Sequence, residues 1–189
     1  MAKTMKRKIS FVLAVLLLLS AVNLPIDVSA QSNLFRDDFT AGNLSSWTRQ
    51  SVGHVEGGKY TILYDGANIA KGLNDITNCA VSADVSVSTA QAANGFYVGG
   101  AAYIAARANA DMTCGYEFGI GVSQNGNAYI RLYRRGVNDS QVLYQKPDSV
   151  TGVGAIKQNT SYNLKLITAG NRIICYVNDV LVADMTDDT

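Results

Sequence analysis

The chain is poor in the side chains that carry most catalysis. Among 189 residues there is one histidine, His54, and there are two glutamates, Glu56 and Glu117. One imidazole cannot supply a histidine metal cluster. It would also have to act as the base of any Ser-His-Asp set. Its setting, Ser51-Val52-Gly53-His54-Val55, holds no nucleophile-elbow motif, so an exposed structural histidine is expected. Cys79, Cys114 and Cys175 allow at most one internal disulfide, and their spacings match no zinc site. All three are expected in strands as small buried thiols, with one disulfide as the alternative. Proline occurs twice, and there is no Pro-rich linker, internal repeat or low-complexity tract. After residue 30 no apolar run is long enough to span a bilayer.

Residues 1–30 read as a secretory signal peptide. Lys3, Lys6, Arg7 and Lys8 form a basic start, Phe11 to Leu19 is apolar, and Val28-Ser29-Ala30 offers small residues to a peptidase. Cleavage is expected between Ala30 and Gln31, giving a secreted protein with no membrane partner. A retained anchor is the alternative. However, the stretch from Ile9 to Leu24 is interrupted by Ser10, Ser20 and Asn23, and falls short of the roughly 20 residues a span needs. No cysteine follows this run, so lipid anchoring is not expected. Four of the 16 basic residues and one of the 15 acidic ones lie in this segment, which leaves 12 against 14 and a net charge of −2. Without a basic field, nucleic acid is not an expected partner. Residues 31–189 suit one domain with a real core.

That domain reads as all-β. Strand signals cover Leu34 to Phe39, Lys59 to Tyr64, Ala80 to Ser88, Phe96 to Arg107, Tyr116 to Val122, Ala128 to Arg134, Gln141 to Gln145, Tyr162 to Thr168, Arg172 to Val177 and Val180 to Ala183. Val81, Ala83, Val85 and Val87 alternate with Ser82, Asp84, Ser86 and Ser88, as in a strand with one wet face. Turn signals separate the runs, among them Asn125-Gly126-Asn127, Gly170-Asn171 and Asn178-Asp179. Many short strands at this spacing imply a sandwich or barrel.

The triplet from Tyr162 to Met185, with Leu164 and Leu166 alternating against Asn163 and Lys165, resembles the late strands of concanavalin-like or laminin-G-like jelly-roll sandwiches. Phe35-Arg36-Asp37-Asp38-Phe39, Gly42-Asn43-Leu44 and Ser46-Trp47-Thr48 resemble their opening, where Phe39 and Trp47 would anchor the core. Such sandwiches continue into further strands where this sequence stops at Asp187-Asp188-Thr189, so the domain is expected to be a piece of a longer polypeptide. Arg107-Ala108, Asp111 and Gly115-Tyr116-Glu117-Phe118 resemble a strand pair of levan-binding-type carbohydrate-binding modules, family 66, found attached to exported glycosidases. Tyr103-Ile104-Ala105 stands where that pattern has Gly-Leu-Val.

The resemblance implies a sugar pocket on one sheet face formed by Arg107, Asp111, Tyr116 and Glu117, with Arg131 and Tyr133 in support. The residues themselves are compatible with this. A charge at Glu117, inside an apolar strand, must be paired or wet. Arg107 on the neighbouring strand is the expected partner, whether in a pocket or as a plain ion pair. Alternation places Tyr129, Arg131, Tyr133 and Arg135 together on one face. Tyrosine offers a ring to a sugar, and Arg with carboxylate offers donors and acceptors to its hydroxyls.

Glycoside hydrolysis typically requires two placed carboxylates. The Glu-x-Asp-x-x-Glu strand of laminarinase-type sandwiches is absent, and no catalytic set can be named. No cofactor is expected, apart from a structural calcium with Asp37 and Asp38 as candidates and Asp184, Asp187 and Asp188 near them. The expected function is non-catalytic binding of a glycan or terminal sugar. A hydrolase of the related sandwich type and a structural or adhesive module are the alternatives.

Overall fold

In a computed structural model of the protein, the structure describes residues 35–49, 53–62, 67–73, 76–88, 90–91, 97–123, 127–147 and 149–189. The signal peptide read at 1–30 lies outside these residues, as do Leu34, Phe96 and Asn125-Gly126. Contacts divide the chain into a unit ending at Asp37 and a unit from Asp38 to Thr189. Of the first unit, residues 35–37 carry no regular structure.

No helix occurs among the described residues. In chain order the strands are β1 (Trp47–Arg49), β2 (Gly53–Glu56), β3 (Lys59–Ile62), β4 (Asn68–Ala70), β5 (Cys79–Val85), β6 (Ala90–Gln91), β7 (Tyr97–Val98) and β8 (Gly100–Ala106). They continue with β9 (Gly115–Val122), β10 (Ala128–Arg135), β11 (Gln141–Pro147), β12 (Ser149–Val150), β13 (Gly154–Ala155), β14 (Tyr162–Ala169), β15 (Arg172–Val177) and β16 (Val180–Thr186). Two four-stranded antiparallel sheets dominate, ordered β11-β10-β9-β8 and β16-β15-β14-β5. Strands β5 and β14 contact β8, and β14 also contacts β9, so the two sheets form a β-sandwich.

Alternation decides which face turns inward. In β14, Tyr162, Leu164, Leu166 and Thr168 are buried, while Asn163, Lys165, Ile167 and Ala169 are half-exposed. Phe118, Ile120, Ile130 and Leu132 from one sheet meet Leu164, Leu166, Ile173 and Val177 from the other in one cluster. In β5 the expected wet face is present: Ala80, Ser82 and Asp84 are exposed, and Val81, Ala83 and Val85 turn toward the core. The turns also follow their chemistry. Asn178 and Asp179 both take positive φ, +49° and +61°, which a two-residue type I′ turn requires. Gly170, at φ +56°, closes the turn between β14 and β15.

Three expectations are corrected. Residues 35–39 form no strand, and Phe39 itself takes φ +59°. Phe39 and Trp47 stand outside the core cluster: their rings stack at 5.9 Å, Tyr60 joins at 6.0 Å, and the three form a half-buried satellite group. Cys114 precedes β9 rather than lying in a strand, and it and Cys79 are only partly buried. All three cysteines are free thiols.

Phe118 is fully buried between the sheets. Phe118→Ala is expected to cost about 3–5 kcal/mol in urea unfolding, the range for emptying an aromatic core site; a loss under about 1 kcal/mol would place Phe118 outside the core. Cys175 is likewise fully buried, and burial pushes its thiol up to about 12. A thiol reagent at neutral pH should label Cys175 only after unfolding, because the thiolate is the nucleophile. Native labelling of Cys175 at the rate of Cys79 would contradict this packing.

Candidate functional site

The outer face of the β8–β11 sheet follows from its inner one. With Ile104, Tyr116, Phe118, Ile120, Ile130 and Leu132 turned to the core, the intervening residues of β8, β9 and β10 must point away. The register sets Tyr103 opposite Gly119, Ala105 opposite Glu117, Glu117 opposite Tyr133, Gly119 opposite Arg131 and Gly121 opposite Tyr129. Glu117, Arg131 and Tyr133, three of the residues singled out from the sequence, therefore share one face. Tyr129 and Arg135 lie there too, as the alternation in β10 places them, and the structure adds Tyr103.

Two glycines form the floor of this face. A Cβ at Gly119 would fall 2.3 Å from the Tyr103 ring, and one at Gly121 would fall 2.3 Å from the ring of Tyr129. Both rings therefore lie down over bare backbone instead of standing off the sheet. The Arg131 guanidinium sits between the Tyr129 and Tyr133 rings, 4.5 Å and 5.4 Å from their centres. Its Nε donates to Gln145 Oε1 at 2.9 Å. Stacking and hydrogen bonding together hold the Arg131 head flat and half-buried.

Glu117 is buried, and its partner is Arg135 at 3.0 Å, not Arg107. The Glu117 hydrogen bond raises the Arg135 guanidinium above its ordinary value, against the effect of burial. Burial and then a hydrogen bond with Tyr129 push the Tyr103 phenol above its ordinary range, so its hydroxyl stays protonated.

Arg107 could not reach Glu117 because the ladder ends at Ala106, paired with Tyr116. Arg107 then takes φ +54°, uncommon for a residue with a side chain. Its guanidinium donates to the backbone carbonyls of Thr77 and Gly170 and lies 5.8 Å from the Tyr116 ring centre. It thereby ties the entry to β5 and the β14–β15 turn to the end of β8. Asp111 is exposed on the following loop and accepts a hydrogen bond from Thr113 Oγ1 at 3.0 Å. Gly115 closes that loop at φ +130°, where a Cβ would meet Ala108 Cα at 2.7 Å.

Tyr116 turns inward and donates to Asp187 Oδ2 at 3.2 Å. Arg134, on the same side, donates to Asp187 Oδ1 at 3.0 Å and pairs with Asp139 at 3.3 Å. Burial, then the Asp187 charge, raise the Tyr116 phenol. Burial alone would raise the Asp187 carboxyl, but hydrogen bonds from Thr189 and Tyr116 and the Arg134 charge outweigh it and hold it low. Arg107, Gly115, Tyr116, Arg134, Arg135 and Thr189 line an open cleft of about 240 Å³ at the end of these strands. Arg135 belongs to both places: it lines the cleft and pairs with Glu117 on the outer face.

The acidic residues considered for calcium have protein partners. Asp38 accepts from Thr40, Asp184 pairs with Arg172 at 2.6 Å, Asp187 with Arg134, and Asp188 with Asn171. Among the described residues no group of three or more His, Cys, Asp or Glu could hold a metal ion.

No family model and no curated protein matches the sequence. Among solved structures, the chain is similar to the carbohydrate binding module CBM66 from Bacillus subtilis. The TM-score is 0.60 and the identity 17 %, over 78 % of this chain and 83 % of that one. At that identity the likeness speaks for the fold alone, an antiparallel β-sandwich.

Asp187 links β10 to the segment after β16, so Asp187→Asn should lower the urea midpoint at pH 7. Its folded pKa is depressed, so its contribution is present above the ordinary carboxylate value, about 3.9, and is lost as pH falls through the lower folded value. The gap between variant and parent should therefore shrink under acid. A gap that stays constant into strong acid would remove Asp187 from the network.

Proposed function

We propose that the chain is a non-catalytic carbohydrate-binding module of an exported protein, holding a glycan on the outer face of the β8–β11 sheet. The observation that carries this reading is the flattened tyrosine and arginine surface over Gly119 and Gly121. Sugar rings present C–H groups on their faces and hydroxyls at their rims. Tyr103, Tyr129 and Tyr133 supply apolar faces with polar tips, and Arg131, Arg135 and Glu117 supply charge-assisted donors and acceptors. The likeness in fold to a carbohydrate binding module agrees with this reading. The basic, apolar and small-residue order of residues 1–30 supports export.

Binding is favoured over hydrolysis by the carboxylate census of the site. Strands β8 to β11 contain one acidic residue, Glu117, and it is already paired with Arg135. Glycosidases typically set two carboxylates about 5–9.5 Å apart across the scissile bond. The role that fits is to keep an attached enzyme or a cell surface close to a polysaccharide.

Affinity electrophoresis through gels containing levan, dextran or polygalacturonate tests the reading. The protein should be retarded by at least one of them. Tyr129→Ala and Tyr133→Ala should each weaken that retardation at least tenfold with the far-UV circular dichroism unchanged. Gly121→Ala should do the same, because its methyl group displaces the end of the Tyr129 side chain, not backbone. Arg107→Ala, by contrast, should lower stability more than it lowers binding. Retardation by none of the polymers, or full retardation in both tyrosine variants, would overturn the assignment.

A further inference from the structure

The carbohydrate face is not electrically neutral. On it Glu117 is cancelled by Arg135, but Arg131 has no carboxylate within ion-pair distance among the described residues. The surplus is marked at the level of the sheet. Strands β8 to β11 hold Arg131, Arg134, Arg135 and Lys146 against the single acid Glu117. Arg134, however, turns to the core side onto Asp187 and Asp139, and Lys146 is registered with core-facing Ile130, so on the outer face the surplus is Arg131 itself. Residues 31–189 as a whole carry a net −2, so positive charge is concentrated on this sheet while the remainder of the domain is acidic.

The geometry around Arg131 explains what that surplus could do. A guanidinium has five N–H donors in a planar fork. In Arg131 one of them, on Nε, is spent on Gln145, and both ring contacts act on the flat face of the group. Among the described residues, no protein anion pairs with the Nη donors. A fixed, half-buried fork of this kind matches the two oxygens of a carboxylate, and burial beside aromatic rings strengthens the attraction relative to water. A neutral hydroxyl would leave the charge uncompensated.

Resting on the carbohydrate reading above, we propose that this face selects acidic glycans, with the carboxylate of a uronate residue received by Arg131 while the sugar ring lies on Tyr129 or Tyr133. The neighbouring Glu117–Arg135 pair supplies a neutral rim that takes hydroxyls and discourages a second carboxylate close to the first.

The experiment compares the full chain on polygalacturonate, alginate, fully methyl-esterified polygalacturonate, levan, dextran and poly-glutamate in affinity gels. At least one uronate polymer should retard the protein at least tenfold more strongly than the ester or the neutral polymers, with the difference falling as salt rises. Arg131→Gln should abolish that preference, and Arg131→Lys should keep part of it. Tyr129→Ala should weaken uronate binding as well, which simple ion exchange would not show. Equal retardation by polygalacturonate and its ester, or binding to levan or dextran alone, would overturn the acidic preference while leaving carbohydrate binding in place. Equal retardation by poly-glutamate would show charge without sugar recognition and also overturn it. Retardation by none of the polymers would remove the carbohydrate reading itself.

Discussion

The dry layer between the two four-stranded sheets is the constraint on which the rest depends. Once Phe118 and Ile120 on β9 and Ile130 and Leu132 on β10 are committed to it, every intervening side chain on those strands is committed to the opposite side. The candidate surface is therefore a by-product of the core. A slip of one residue in β10 would bury Tyr129, Arg131 and Tyr133 and expose Ile130 and Leu132. The hydrophobic term that stabilises the sandwich also fixes which groups a ligand meets.

The inward exception is instructive. Arg134 shares the core-side parity of Ile130 and Leu132, yet it carries a charge. It is accommodated because it lies at the end of the strand, where Asp187 and Asp139 reach it. The tail of β16 thus satisfies a charge belonging to the other sheet. Two elements far apart in sequence are joined by a polar contact where the apolar layer thins out.

Much of this was legible in the residues, and the parts that were not have physical reasons. The alternation in β5, β14 and β10 and the Gly170-Asn171 and Asn178-Asp179 turns are local signals, and the structure follows them closely. The grouping of Tyr129, Arg131, Tyr133 and Arg135 followed from period-two parity alone, and Glu117 was set beside Arg131 and Tyr133 by the resemblance. The partner of Glu117 followed from neither, because pairing depends on where a ladder stops, and that is decided by the positive φ at Arg107 and the tight closure at Gly115. The resemblance to the sandwich opening implies Phe39 and Trp47 as core anchors, but Phe39 lies ahead of the first strand. Trp47 opens β1, which among the described strands pairs with β4 and not with either main sheet. Tyr103 was visible only as part of the departure from the Gly-Leu-Val of the resembled strand. Its meaning comes from Gly119 across the ladder, a contact between positions 16 residues apart.

That last kind of contact has a consequence for how the surface can vary. On β9 and β10 the hydrogen of Gly121 and the ring of Tyr129 occupy what is in effect one volume, divided between two strands. A larger residue at 121 becomes tolerable when position 129 gives up its ring, and a flat ring at 129 persists only over a glycine. Among descendants of this chain the two sites would drift in step, so a lone exchange at either one would be the footprint of a surface released from its ligand.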